Sequence, residues 1–427
     1  MLPGFGAPEC KAFFPLFKGC AEIMSNKWID VISNSKEQSA VLDMSAWLSR
    51  TTLDAIGEVA FDVRFGSLDN NEHALARAYN NMMVDIFGSP SDMQVFFQGV
   101  SRYIPSRILE YIGKRSKNPR IVRMREAGNI ITSVAKQIVK DKAEVLLQGK
   151  GNRDVFSLLG GCTASFRFSR SDKSTVKANM DADAKAKMTE EEMLAQMRTI
   201  LFTGHETTST TISWALLELA KNPEIQSRLR AEIREAEATM HKRGDAESTI
   251  ADFDMPYAAA VIKEVLRFSP AAYHVYRYAT QDDILPLSQP ITTRFGKVIH
   301  ELPIPKGTRI VTSIAAYNRN KDLWGKDAHM FNPERWLDGA AKEKKTTSLG
   351  VYSNLMTFGS GVRACIGWRF AVIEVQAFLT ELVGKFEFAL TDKSKWVRRE
   401  ACMVMAPTVE GEVENGVQLP LRVSVAH

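Results

Sequence analysis

Apolar residues recur at three- and four-residue steps over most of the chain up to Phe268, the period of a helix face turned toward a core. Leu53, Ile56 and Val59 form one such face, and Ile225, Leu229 and Ile233 another. One helical pattern is unusually long. Thr189 followed by Glu192 makes a capping box, and the pattern runs on to Lys221, where Asn222-Pro223 opens the next helix. That is about 32 residues, or roughly 48 Å at the rise of an α-helix. From Ile284 to Ile314 the texture changes to short β-like runs, and Val298-Ile299 and Arg309-Ile310-Val311 flank the turn signal Pro305-Lys306-Gly307. A coil rich in Trp, Pro and Gly follows, then an amphipathic helix from Trp368 to Leu382. The tail from Val417 to Val425 alternates like an edge hairpin. The expectation is a mainly α chain with a small β region, forming a single domain over residues 1–427. Gly160 to Thr175 breaks the pattern: it is polar, basic and unperiodic, a loop by composition, and Leu159 would join Val176 naturally without it.

Composition narrows the class. With 45% hydrophobic and 25% charged residues, the chain can bury a sizeable core and still dissolve. Its 55 basic and 50 acidic residues give +5, interleaved and not gathered into a stripe, which argues against nucleic acid. The cysteines Cys10, Cys20, Cys162, Cys365 and Cys402 are odd in number and scattered, with no Cys-x-x-Cys, so neither a disulfide framework nor a zinc knuckle is expected. No pair of histidines has helical ligand spacing. No apolar run approaches the roughly 18–20 residues that span a bilayer, and Met1 to Gly6 does not read as a signal peptide. As written, the chain is expected to be cytoplasmic.

The most informative segment is Phe358-Gly359-Ser360-Gly361-Val362-Arg363-Ala364-Cys365-Ile366-Gly367, running into the helix at Trp368. Its glycines allow tight turning and close approach to a flat ligand. Cys365 stands just before a helix N-terminus, where backbone N–H groups favour a thiolate, and Arg363 adds a cation nearby. A lone cysteine is more often a buried structural residue, but the spacing Phe-x-x-Gly-x-Arg-x-Cys-x-Gly is complete.

Two further patterns carry charge. Glu264 and Arg267 lie three apart on one helix face. The bland alternative is a solvated pair worth a few tenths of a kcal/mol. The apolar residues that surround the two imply instead that at least one is buried, which needs additional hydrogen bonds. In the long helix, Gly204-His205-Glu206-Thr207-Thr208-Ser209-Thr210-Thr211 is a run of poor helix formers. A helix that weakens its own centre breaks a local rule, and such breaks tend to mark function. Gly204 would let a ligand approach, and an acid beside an alcohol can relay protons. A kink with self-satisfied hydroxyls is the competing explanation. His205 is read as a neighbour of this pair and not as an iron ligand.

The cysteine loop resembles the haem-ligand loop of the cytochrome P450 family, and the resemblance extends over nearly the whole chain, closest to the eukaryotic microsomal branch and its filamentous-fungal members. It implies that Cys365 ligates the iron of haem b as a thiolate, which in that family pushes electron density to the iron and favours O–O cleavage. Phe358, Gly359, Gly361, Gly367 and Gly204 would contact the cofactor, and Arg363 and Arg277 would pair with its propionates. Phe331-Asn332-Pro333-Glu334-Arg335-Trp336 is similar to the family's second arginine segment, so Glu264, Arg267 and Arg335 would form a salt-bridged structural triad. Glu206 and Thr207 match the proton-delivery pair. Thr203 departs from the family pattern, which has Ala or Gly there, and would crowd or re-tune the oxygen site. Phe202, Thr203, Ala272, Tyr273, Val275 and Val404 fall in segments that line the substrate cavity.

The resemblance implies a monooxygenase that inserts one atom of O2 into a small hydrophobic substrate, using electrons from an NADPH-dependent flavoprotein reductase. It begins late: the matching part lacks the family's membrane anchor, first strands and haem-gripping helix, so the expectation is a P450 fold without its N-terminal part. The full-length form would sit on the endoplasmic reticulum membrane. A truncated product or a flawed gene model, with a retained intron at Gly160 to Thr175, would account for both features. Two other readings stay open: a non-catalytic remnant with weak or no haem binding, and a haem-thiolate isomerase or peroxygenase that needs no reductase.

Overall fold

The computed structural model describes residues 5–69, 73–88, 91–101, 103–147, 190–243, 249–337 and 349–427. The inserted loop at 160–175 and the capping residue Thr189 lie outside them. Helices dominate. In chain order they are α1 (Ala7–Ala12), α2 (Phe14–Ser33), α3 (Met44–Phe61), α4 (Ala74–Tyr79), α5 (Met82–Phe87), α6 (Asp92–Ser101), α7 (Ser106–Arg115), α8 (Pro119–Leu147), α9 (Glu190–Lys221), α10 (Pro223–Arg243), α11 (Pro256–Phe268), α12 (Ile314–Tyr317), α13 (Lys321–Trp324) and α14 (Trp368–Lys385). The strands are β1 (Ser39–Asp43), β2 (His274–Tyr278), β3 (Asp283–Thr292), β4 (Val298–Ile304), β5 (Arg309–Ser313), β6 (Phe386–Leu390), β7 (Val397–Cys402), β8 (Val404–Val409) and β9 (Pro420–Val425). The mainly α architecture with small sheets is as expected.

The strands pair antiparallel, as β1-β9-β6, β2-β5, β3-β4 and β7-β8. Two expectations change here. The tail strand β9 is no edge: it lies between β1 and β6, with Leu421 and Val423 buried. Its alternation reports which face is buried and says nothing about which edges are paired. Strand β1 itself was hidden in a region that reads as helical, because its five residues Ser39 to Asp43 are short and mixed in character.

The long helix α9 runs 32 residues, with the length its pattern implied. It packs on α3 so closely that a Cβ on Gly204 would come within 2.6 Å of the Ile56 side chain. Its poor helix formers hold because their hydroxyls fold back. Thr199, Thr203, Thr207 and Thr211 each donate to the carbonyl four residues upstream, at 2.8–2.9 Å. The start of α14 is held by an aromatic cluster. Phe370 packs edge-on against Phe17, at 4.8 Å between centroids, and also against Phe5 and Phe13. Such pairs contribute about 0.5–1.5 kcal/mol each beyond burial, and they fix the helix that begins three residues after Cys365.

Candidate functional site

The cysteine loop is a hairpin-like turn closed by one bond. The Cys365 N–H donates to the Phe358 carbonyl at 2.7 Å. Gly359 and Gly361 sit at φ +68° and +65°, a region that side chains avoid, so the glycines are demanded first by the turn itself. Gly367 caps α14, and Phe358 packs edge-on against Tyr352. The remaining described cysteines, Cys10, Cys20 and Cys402, are buried, while Cys365 is exposed. Burial pushes Cys10 up to about 11 and Cys402 up to about 12. The Cys365 thiol is also pushed up, by the protein packed behind it, against a backbone hydrogen bond from Gly367 that lowers it. The expected bias toward thiolate from Arg363 and the helix terminus therefore does not win on protein groups alone. A bound metal ion reverses that balance, because a coordinating thiol is deprotonated outright.

What holds the loop in place is a buried polar network. Glu264 and Arg267 are both 0% exposed and form a two-pronged pair, Nη2 to Oε1 at 2.7 Å and Nε to Oε2 at 2.8 Å. Arg335 Nε donates to Glu264 Oε1 at 3.1 Å, and Trp336 Nε1 donates to Oε2 at 3.0 Å. Arg267 spends its other donors on the carbonyls of Asn318, Ala328 and Met330. The three residues expected to form a triad are thus joined, and both members of the i,i+3 pair are buried. The link to the cysteine loop runs through Asn318, which sequence reasoning missed. Its side chain donates to Thr357 Oγ1 at 2.8 Å and accepts from the Met356 N–H at 3.1 Å. Thr357 in turn donates to the Leu266 carbonyl at 2.7 Å. Helix α11, the coil through Arg335 and the residue before Phe358 therefore form one hydrogen-bonded body. Nothing in a lone Asn within a coil announces this.

The centre of α9 is built differently. Gly204 faces Ile56 of α3, and its missing side chain lets the two helices pack closely. Thr203 is exposed, with its hydroxyl turned back on Thr199, and Thr207 lies on the same stripe, half-buried. Glu206 points to another side, into a cleft of about 490 Å³ that it lines with Ser209, Thr210, Ser213, Tyr79 and Val404. Among the described residues no hydrogen bond joins Glu206 to Thr207. Phe202 stacks on Tyr79 at 6.4 Å. Glu374 of α14 is fully buried, and burial drives its carboxyl well above the usual range, against a hydrogen bond with the Thr208 side chain that lowers it.

The segments expected to line a substrate cavity converge from distant parts of the chain. The Met405 N–H donates to the Ala271 carbonyl at 2.8 Å, and Trp214 Nε1 donates to the Met405 carbonyl at 2.7 Å. This brings β8, with Val404, beside α9 and the stretch that carries Ala272, Tyr273 and Val275. Ala272, Tyr273 and Val275 are half-buried and Val404 is buried. Arg277 is exposed on β2, and its guanidinium donates to the carbonyl of Tyr276.

The surroundings of Cys365 fit a flat apolar group with acidic edges held by sulfur. Val362 is fully exposed and Ile366 is 39% exposed beside the thiol, and Gly361 faces open space where a side chain would stand. Arg363 and Arg277 are exposed, with no acidic partner among the described residues. Haem, with an apolar macrocycle and two carboxylates, has that character. No described helix is long and apolar enough to cross a membrane.

Comparison with known proteins agrees. The family model for cytochrome P450 matches residues 1–414. Cytochrome P450 monooxygenase 91 of Postia placenta is 33% identical over 92% of this chain and 70% of its own length. Cytochrome P450 monooxygenase claP of Ampulloclitocybe clavipes is 31% identical over 99% of this chain and 73% of its own length. Ganoderic acid synthetase CYP5150L8 of Ganoderma lucidum is 31% identical over 83% of this chain and 64% of its own length. An exposed cysteine on a closed glycine loop, a buried Glu–Arg–Arg scaffold behind it and matches of this extent lead to one conclusion: the chain belongs to the cytochrome P450 family of haem-dependent monooxygenases.

Proposed function

We propose that Cys365 is the iron ligand of haem b and that this chain inserts one oxygen atom from O2 into a small hydrophobic substrate, with electrons from an NADPH-dependent flavoprotein reductase. The observation that carries the reading is the cysteine loop: a solvent-facing thiol on a turn fixed by the Phe358–Cys365 bond and the Asn318–Thr357 bridge. When bound, the haem supplies the oxygen-activating and electron-accepting chemistry. The protein's contribution is binding, orientation and proton handling. Cys365 would hold the group through its sulfur. Gly359 and Gly361 keep the loop free of side chains, and Arg363 and Arg277 offer charge to its carboxylates. The triad of Glu264, Arg267 and Arg335 supports the loop and takes no part in the chemistry.

Glu206 and Thr207 hold protons at the centre of α9. The carboxyl faces a polar cleft and the hydroxyl belongs to the neighbouring stripe, so protons would pass from cleft water to Glu206 and on to Thr207 through water or a small side-chain turn. The converging segments around Ala272, Val275, Phe202 and Val404 give the substrate an apolar surface, which suits a product of secondary metabolism such as the one in the name of the Ganoderma relative. The test is coupling. In the chain reconstituted with reductase and NADPH, Glu206→Gln and Thr207→Ala should divert electrons from product to peroxide while electron uptake continues. Normal coupling in both variants overturns the assignment of that pair.

A further inference from the structure

We infer that His205 and Glu206 share one exchangeable proton, so that His205 is a positioning residue that holds and returns the proton Glu206 gives up. The inference rests on the proposed role of Glu206 as proton carrier and extends it to a partner and a supply route.

His205 is 0% exposed, and its Nδ1 lies 2.7 Å from the Leu201 carbonyl. A carbonyl oxygen only accepts, so Nδ1 must be the N–H donor. In a neutral imidazole Nε2 is then a bare lone pair. That Nε2 sits 3.3 Å from Glu206 Oε1, misaligned for a hydrogen bond and without any other partner. A buried lone pair against an ionised carboxylate is repulsive, and a buried nitrogen left unpartnered keeps its full desolvation penalty. One proton between the two groups removes both penalties, whether it resides on Nε2 as imidazolium or on the carboxyl as acid.

A second buried orphan points to the same place. Tyr79 of α4 is 1% exposed, its Oη has no hydrogen-bond partner, and its ring stands edge-on to His205 at 4.4 Å. Burial, with the Glu206 charge adding to it, pushes the Tyr79 hydroxyl up, so it stays a neutral donor. Tyr79 and Glu206 both line the 490 Å³ cleft. The floor of that cleft is made of the α9 hydroxyls Ser209, Thr210 and Ser213, and its rim carries the exposed residues Arg77, Asn80, Lys393 and Asn415. With these polar groups set among the apolar Leu53, Met82, Met83 and Val404, it offers water hydrogen-bond partners.

The charged and titratable groups around the pair come from several elements. Tyr79 and Arg77 stand on α4, Asp43 and Arg50 on and beside α3, Lys393 and Glu412 near the C-terminal hairpin, and Cys402 on β7, where the Glu206 charge raises its pKa. Lys393 and Glu412 pair with each other at the rim. That leaves Glu206 as the only charged neighbour in contact with His205 among the described residues. The cycle balances on that one proton: it passes from Nε2 to the Glu206 carboxylate and on toward Thr207, and solvent in the cleft that Glu206 lines then returns a proton to the pair.

The experiment uses the full chain, reduced and saturated with carbon monoxide so that bound haem is diamagnetic, with ¹⁵N-labelled histidine. The His205 signals are identified by their loss in His205→Gln. The expected result is a proton on Nδ1 throughout, and an Nε2 whose proton occupancy changes when Glu206→Gln removes its acidic partner, as for coupled groups. An Nε2–H tautomer with bare Nδ1, or a titration unmoved by Glu206→Gln, overturns the inference. If Glu206→Gln disturbs the fold, infrared detection of the Glu206 carboxyl in wild type and His205→Gln serves instead, with loss of its pH step expected and an unchanged step contradicting. The two readings separate cleanly. A moved histidine step with intact turnover coupling in Glu206→Gln keeps the shared proton and removes Glu206 as the delivering acid. Collapsed coupling with an unmoved histidine step does the reverse.

Discussion

Two buried polar regions of this molecule are finished to different degrees. Around Arg267 every donor has an acceptor: two oxygens of Glu264 and three backbone carbonyls take up the guanidinium, and Glu264 also accepts from Arg335, Trp336 and Asn332. Around the centre of α9 the accounts stay open. Among the described residues His205 Nε2 and Tyr79 Oη are buried without hydrogen-bond partners, the buried Glu374 carboxyl has one lowering contact, from the Thr208 hydroxyl, against its burial, and a polar cleft reaches Glu206. A closed network resists change and fixes geometry. An open one leaves groups free to gain and lose protons. The first is what a ligand loop needs behind it, and the second is what proton traffic needs around it.

The sharpest way to break the comparison is to open the closed side. Arg267→Ala removes the two-pronged partner of the buried Glu264, leaving Arg335 as its remaining cation, and strands the carbonyls of Asn318, Ala328 and Met330; the expected loss is about 3–5 kcal/mol of stability, read as a lower urea midpoint with an unchanged slope. A loss under about 1 kcal/mol would mean that the network is not holding the fold.

A middle-sized effect tests what Gly204 is for. Gly204→Ala drives a methyl against Ile56, and overpacking of that kind costs about 1–3 kcal/mol. Ile56→Ala added to it should recover part of the loss. No recovery would return Gly204 to the role of making room for a ligand.

The smallest effect concerns the open side. Burial raises the folded-state pKa of Glu374 above its unfolded value. The native state therefore keeps a proton that the unfolded chain has released, and stability falls as pH rises above the usual carboxylate range. The slope is at most about 1.4 kcal/mol per pH unit for one such group. Glu374→Gln should be more stable than wild type by a margin that widens with pH, as measured by thermal unfolding across the pH range. A margin independent of pH would contradict this.

The sequence announced the elements with long periods and the residues with fixed spacing. The 32-residue α9, the helix after Cys365 and the Glu264–Arg267 pair all follow from patterns within one element, where neighbours in sequence are neighbours in space. What stayed hidden depends on partners far along the chain. Asn318 acquires its role from Thr357 and Met356, Gly204 from Ile56, and the tail strand its central place from β1 and β6. Tyr79 stands more than a hundred positions before His205, so no local spacing could pair them. The thiol of Cys365 teaches the same lesson from the other direction. The helix terminus and Arg363 are local and legible, while the packed protein that raises its pKa is not.

The central claim is that the Cys365 sulfur is bonded to haem iron. Its most direct measurement is the carbon monoxide difference spectrum of the reduced full chain, recorded for wild type and Cys365→Ala. The account predicts the band of a thiolate-ligated ferrous carbonyl in the wild type and loss of haem-dependent absorbance in the variant. A normal spectrum from Cys365→Ala, or no haem band from well-folded wild type, would contradict it.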